Sequence, residues 1–354
     1  MLNTATILKN LSVPAHQNVY LIGRGARGVV TFLSQQQRAL NLVWALASEK
    51  KLKDNTKVAV VGGGLAGMTA ALAASRVGCE VSLYEEKPEL MHLQRGSQQR
   101  YVHPNIYKWP SPESSRYTTN LPLLNWSAGS AAEIADTVWW QWEQLSDSVA
   151  VHLEHRLTSI ANGPKGPILT FSGHNYIQKQ FDIVLIAVGF GIERTKSKIP
   201  FLSYWHNDNF GRPIITGPIP RRYLVSGCGD GGLIDAVRLC LQHLDQPAFT
   251  KLLLREVPED IKEQLIKAED RARHIENEEW ARKRLDSKTV LTYKREDILA
   301  SMRGQVLAEE YSKLDLSELV KKINRALHKD REIILNGTHA SPFLLRASIF
   351  NRFA

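Results

Sequence analysis

Val58-Ala-Val-Val-Gly62-Gly-Gly64-Leu-Ala-Gly67 opens the stretch that decides the fold, and it runs on without a break through MTAALAASRVGCEVSLYEE to Glu86. Val58, Val60 and Val61 read as a strand buried on both faces. The spacing Gly62-x-Gly64-x-x-Gly67 lets the chain turn tightly and bring main-chain N–H groups up to a diphosphate. The small residues of 66–74 predict a helix that packs closely on the sheet with its positive end at that turn. A second strand ends at Glu85, roughly 20 residues past the glycines, where a carboxylate accepts hydrogen bonds from an adenosine ribose. A carboxylate there disfavours a 2′-phosphate, and so NADP. Strand, turn, helix, strand and acid in one register predict a dinucleotide-binding unit, with Gly62, Gly63, Gly64, Leu65, Ala66, Gly67 and Glu85 as its contacts.

Outward from this stretch, 354 residues suffice for a full core and more than one structural unit. No window approaches the ~18 apolar residues of a membrane span and no basic start leads into an apolar run, so a soluble, cytoplasmic protein is the expectation. Three cysteines, Cys79, Cys228 and Cys240, have no CxxC spacing and indicate neither a disulfide framework nor a metal site. The net charge of +9 raises the question of nucleic acid. However, the cations are interleaved with acids, as in RARHIENEEWARKRLD (271–286), which is the pattern of a solvated helix face.

Residues 1–56 form a strand-helix extension ahead of the glycine stretch. Gly23-x-Gly25-x-x-Gly28 repeats the glycine spacing but leads into VVTFL, which is β-branched, so we read a hairpin turn there. Ser34 to Gln37 resembles a capping box for the helix RALNLVWALASEK. Covering the sheet outweighs catalysis for Gln35, Gln36 and Arg38. A long polar and aromatic loop follows Glu85, then a helix over 131–145 with Trp139, Trp140 and Trp142. Short strands with Gly/Pro turns fill 149–181. DIVLIAVG and YLVSG read as further strands, with helix LIDAVRLCLQHL after the second. The expected class is α/β: a Rossmann-like parallel sheet over 57–245, with an inserted segment at about 95–180 that holds a small β-meander. A mostly helical C-terminal region follows over 246–354.

Three segments resemble the FAD-dependent oxidoreductases of the glutathione-reductase-like superfamily. They are the glycine stretch with Ala71, Gly78, Val81, Leu83, Tyr84 and Glu85; Asp182-Ile-Val-Leu-Ile-Ala-Val-Gly189; and Tyr223-Leu-Val-Ser-Gly-Cys-Gly229-Asp230. The resemblance covers roughly 57–245. It implies FAD as cofactor, with Gly189, Gly229 and Asp230 among its contacts, the aspartate on a ribityl hydroxyl and Leu157 beside the adenine. Met91 and His92 stand near the place where the superfamily often has a Gly-Gly doublet, so Arg95 and Arg100 are candidates to supply contacts there. Gly227-Cys-Gly229-Asp-Gly-Gly232 also fits GxGxxG, and a strand at TKLLLRE with Arg255 would then serve NADP. We prefer the Gly-Asp reading, in which Cys228 is an apolar filler.

The chemistry is less legible. Loop 100–109 offers His103 as an acid or base, and Tyr101, Tyr107 and Trp109 as stacking groups, against a plain packing role. Ser203 to Asp208 is a second polar, aromatic stretch. Asn351 and Arg352 read as docking residues. No adjacent cysteine pair supports disulfide reduction. Three functions stay open: an FAD oxidoreductase taking hydride from an amine, amino acid or similar small molecule; a nucleotide-binding sensor or partner subunit; and an NAD(P) dehydrogenase. A protein partner or homo-oligomer is also left open.

Overall fold

The computed structural model describes residues 3–23, 30–173, 177–189, 204–208, 220–227, 229–242, 246–284 (275 onward as backbone), 304–337 and 348–354. They divide into two compact units, Met1–Pro104 with Tyr117–Asn207, and Asn105–Arg116 with Asp208–Ala354.

In the first unit, strands β1 (Val19–Leu21), β2 (Lys57–Val61), β3 (Glu80–Tyr84), β6 (Val149–His152) and β10 (Ile183–Ile186) make one parallel sheet in the order β1-β10-β2-β3-β6. Alternation along β2 splits the core. Val58 and Val60 pack under helices α2 (Phe32–Ser48), α3 (Leu65–Arg76) and α4 (Ala131–Leu145), with Leu42, Leu46, Leu72 and Val138. Ala59 and Val61 face the antiparallel meander β7 (Arg156–Gly163), β8 (Gly166–Ser172) and β9 (Ile177–Gln180), with Leu169 and Phe171. Helix α3 buries Ala70, Ala71, Ala73 and Ala74 because a small face brings its axis close to the sheet. Helix α4 has the expected span, opened by a capping box between Ser130 and Glu133. Its three tryptophans diverge: Trp142 is buried, while Trp140 is exposed. Helix α1 (Thr4–Leu11) and the two-residue strands β4 (Tyr101–Val102) and β5 (Gly129–Ser130) complete the unit.

Two expectations about the N-terminal segment are corrected. β1 does not enter a hairpin but runs parallel to β10, Val19 opposite Val184 and Leu21 opposite Ile186. It buries Val19, Tyr20 and Ile22 and covers an edge that a hairpin would have left bare. VVTFL is not extended throughout, because Phe32 and Leu33 open α2. The capping box is formed by Thr31 and Ser34, three residues earlier than the sequence suggested. Gly25 and Gly28 lie outside the described residues.

The second unit contains strands β11 (Arg221–Ser226) and β12 (Arg331–Asn336), paired in parallel, and helices α5 (Asp230–Cys240), α6 (Gln246–Glu256), α7 (Glu259–Arg284), α8 (304–311), α9 (Ser317–Ile323) and α10 (Ile349–Phe353). The YLVS strand therefore pairs with β12; in the five-stranded sheet, the place beside β10 is held by β1. TKLLLRE is helical within α6, with Phe249 and Leu253 buried one turn apart, so it is not the strand that the NADP alternative required.

Candidate dinucleotide site

Of the four glycines around the turn between β2 and α3, Gly62, Gly64 and Gly67 are glycine for different reasons. Gly62 adopts φ +112°, and a Cβ there would lie 2.5 Å from the Ala187 carbonyl oxygen. At Gly67 a Cβ would lie 1.9 Å from the Gly62 oxygen, so helix and turn could not close together. Gly64 is unlike both. Its φ of −77° and ψ of 175° suit any residue, and a Cβ would meet nothing within 4 Å. Nothing in the described chain requires glycine at this position, the N-cap of α3. The space it leaves open lies where the first N–H groups of a 12-residue helix have no intrahelical acceptor.

Glu85 reaches the same turn from the end of β3. Its Oε2 accepts from the Gly63 N–H at 2.5 Å and its Oε1 from the Lys87 N–H at 2.8 Å, which fixes the carboxylate beside the glycines. Leu65 and Ala66 follow Gly64 in the first turn of α3. Arg95 lies over the Trp139 ring at 4.4 Å, with Nη1 3.4 Å from Glu89. Arg100 is buried, its guanidinium 4.3 Å over the Tyr204 ring. Gly189 follows β10 at φ +72°, and a Cβ there would meet none of the described residues within 4 Å. Leu157 pairs with Phe171 and packs on the meander side of the core.

Gly229 and Asp230 belong to the second unit. The Asp230 carboxylate is already engaged there: it accepts from the Tyr107 hydroxyl, the Ser348 N–H at 2.9 Å and Asn351 Nδ2 at 2.7 Å. The turn itself repeats the first unit's geometry. Gly227 has φ +119°, a Cβ on Gly232 would lie 2.0 Å from the Gly227 oxygen, and a Cβ on Gly229 would meet nothing within 4 Å. The Gly227 N–H donates to Asn336 on the neighbouring strand at 2.7 Å, as the Gly62 N–H does to Tyr84 at 2.8 Å. The residue after Asn336, in the place of Glu85, is Gly337. Cys228 lies outside the described residues.

Loop 100–109 does not act as one cluster. His103 is buried, and burial pulls its pKa down to about 4, so the imidazole is neutral near pH 7 and suits a base better than an acid. Its ring meets Tyr117 edge-on at 4.9 Å. Burial, and then Tyr117, pushes the Tyr101 phenol up to about 12. Tyr107 and Trp109 belong to the second unit, where Trp109 is packed against Phe350 and Phe353. The stretch from Tyr204 onward does meet loop 95–100. Besides Arg100 on Tyr204, Asn207 accepts from the Gln98 N–H and donates to the Gly96 carbonyl, and Trp205 stacks on Phe32 at 5.3 Å. Ser203 lies outside the described residues. Gln36 is a core residue, donating to Thr69 and the Leu124 carbonyl and accepting from Trp126 Nε1. Arg352 forms a buried ion pair with Glu269. Among the described residues no group of three His, Cys, Asp or Glu side chains is arranged to hold a metal ion, and no helix is long and apolar enough to cross a membrane.

Sequence reasoning missed Leu90 and noted Met91 only as a departure from the Gly-Gly doublet, whereas both fold back onto the glycine turn. Met91 N–H donates to the Gly63 carbonyl at 2.9 Å. No residue type in that stretch signals this contact.

Residues 18–103 match the family model of pyridine nucleotide-disulphide oxidoreductases. The match to that family takes in β1, the whole glycine turn and Glu85, Arg95, Arg100 and His103. Among solved structures, the chain is similar to a water-forming NADH oxidase from Lactobacillus brevis bound to NADH, at 16% identity and a TM-score of 0.25, covering 41% of this chain and 23% of the oxidase. It is also similar to a lysine monooxygenase from Nocardia farcinica (15% identity, TM-score 0.27, 51% and 38% covered) and an L-proline dehydrogenase from P. horikoshii (15%, 0.27, 40% and 24%). The chain thus spans well under half the length of each of these proteins. No curated protein sequence matches it.

Proposed function

We propose that this protein is a flavin-dependent oxidoreductase that holds FAD in its first unit and takes hydride from a small organic substrate such as an amine or amino acid. The observation that carries the reading is Gly64, a glycine in an unstrained conformation whose missing side chain leaves a space that none of the described residues fills. The N–H groups at the head of α3 bind the diphosphate, and Glu85, held by Gly63 and Lys87, takes the ribose hydroxyls. Bound flavin would supply the hydride acceptor, while the chain orients substrate and excludes water. Disulfide reduction has no support in the sequence, which carries no adjacent cysteine pair. Purified protein should carry a yellow chromophore that an amine or amino acid donor bleaches, and Gly64→Val should remove it. A colourless wild type that takes up no FAD refutes the proposal. Bound flavin that no donor reduces supports a sensor or partner subunit instead.

A second reading, a nicotinamide dinucleotide at Gly227–Gly232, is favoured by the repeated turn geometry. Gly337 places no carboxylate where a 2′-phosphate would sit, so this turn tolerates NADPH as well as NADH. Gly229→Val should abolish nicotinamide binding while leaving FAD in place. Retention of both nucleotides by that variant removes the reading.

A further inference from the structure

Met91 sits in the left-handed region of backbone space at φ +56°, although its side chain is buried. A residue with a Cβ persists there only where its surroundings hold it. Three hydrogen bonds do so: Met91 N–H donates to the Gly63 carbonyl at 2.9 Å, and the Met91 carbonyl accepts from the N–H groups of Gln94 at 2.9 Å and Arg95 at 3.0 Å. Buried Leu90 sits against the same glycine, its Cδ2 2.5 Å from where a Gly63 Cβ would be.

The contact with Gly63 has a directional effect. A trans peptide is planar, so the Gly63 C=O and the Gly64 N–H point opposite ways. Fixing the carbonyl on Met91 turns the Gly64 N–H away from the 86–97 loop, and among the described residues no acceptor meets it. The preceding peptide is fixed as well, through the Gly63 N–H and Glu85. Both peptides flanking Gly63 are therefore set before any ligand arrives.

We propose that Met91 is a positioning residue of the dinucleotide site: its left-handed backbone delivers the N–H that locks the Gly63 carbonyl and thereby aims the Gly64 N–H at the diphosphate. This rests on the reading of the first unit as a dinucleotide site. Extra strain at position 91 is relieved by releasing this local contact, which takes less than unfolding the unit.

The test is the affinity of nucleotide-stripped protein for FAD and for ADP-ribose in wild type, Met91→Gly, Met91→Asn and Met91→Val, with the melting temperature of each nucleotide-free protein. Glycine and asparagine accept the left-handed conformation, and a β-branched residue is the least suited to it. Gly and Asn should bind at least as tightly as wild type, and Val about tenfold more weakly, as ~1.4 kcal/mol of added strain gives. Melting temperature should instead follow apolar volume, with Val above Gly and Asn. A packing role reverses the affinity order, leaving Val near wild type and Gly and Asn weakest, and that result overturns the proposal, as does equal affinity throughout. If Val does not fold, retained affinity in Gly and Asn supports the proposal and its loss overturns it. Wild type that binds neither ligand refutes the site itself and the proposal with it, whereas a binding wild type with the packing order refutes the positioning role alone.

Discussion

Gly64→Ala separates ligand binding from folding in a way its neighbours cannot. Among the described residues the added methyl group meets no atom within 4 Å, and the backbone angles suit alanine. Removing glycine's freedom in the unfolded chain stabilises by about 0.4–1 kcal/mol, which offsets most of the roughly 0.5–1 kcal/mol lost by replacing glycine with alanine at an N-cap. Nucleotide-free Gly64→Ala should therefore melt close to wild type. Its ligand should suffer, because the methyl group occupies the approach to the helix N–H groups. Loss of one hydrogen bond to a charged phosphate is worth about 1.5–3 kcal/mol, or roughly 10- to 150-fold in affinity. Gly67→Ala is the control. Its methyl group would lie 1.9 Å from the Gly62 oxygen, and the forced shift costs about 1–3 kcal/mol, lowering the melting point by roughly 2–12 °C. Thermal melts and FAD titrations of the two variants side by side are the assay. Wild-type affinity in Gly64→Ala, or a melting loss as large as that of Gly67→Ala, refutes the idea that this space is kept for a diphosphate.

Glu85→Gln places an NH2 group against either the Gly63 or the Lys87 N–H, so nucleotide affinity should fall about tenfold; titration with ADP-ribose measures it. His103 is held near pKa 4 when folded against 6.5 when unfolded, so below pH 6.5 only the unfolded chain takes up its proton. Stability on the order of 3 kcal/mol is thus present above pH 6.5 and lost as pH falls toward 4, and a His103→Phe variant should show a flatter pH–stability profile in denaturant titrations. His103→Ala should spare dinucleotide binding and lower turnover if the imidazole acts as a base, and unchanged kinetics would leave it a packing residue. Arg352→Ala strands the buried Glu269 carboxylate and should destabilise the second unit by about 3–5 kcal/mol, read as an early melting transition, with Glu269→Gln less damaging.

The features legible in the sequence were local ones. Gly62, Gly64, Gly67 and Glu85 occupy one continuous stretch whose spacing encodes turn, helix end and strand end, and the structure brings them together. The span of α4 was legible as one helical run over 131–145, and β8 and β9 from the Gly/Pro turns beside them, whereas VAVH joins the parallel sheet as β6. Pairing across long separations was not legible. The three-residue β1 finds its partner β10 more than 160 positions later, and nothing in VYL distinguishes a hairpin arm from a parallel edge. TKLLLRE carries a leucine run that suits helix or strand until Phe249 and Leu253 choose a shared face. Asp230 was read from its neighbours in the chain, whereas its hydrogen-bond donors come from Tyr107, Ser348 and Asn351, far away in sequence. Met91 stood out only as a departure from a Gly-Gly doublet, and its left-handed backbone gave no signal because that conformation is created by its surroundings.

The placement of β1 bears on how this protein can be trimmed and made. Its margin of the sheet is sealed by a segment made long before its partner, since the strand it seals emerges only near residue 186. Until then the newborn chain holds a lone apolar ribbon in waiting. A shortened version lacking the opening two dozen residues would uncover a row of unpaired amides and carbonyls on β10, inviting sister molecules to zip on. Such a truncation should turn up in inclusion bodies, however innocuous the deletion looks on paper.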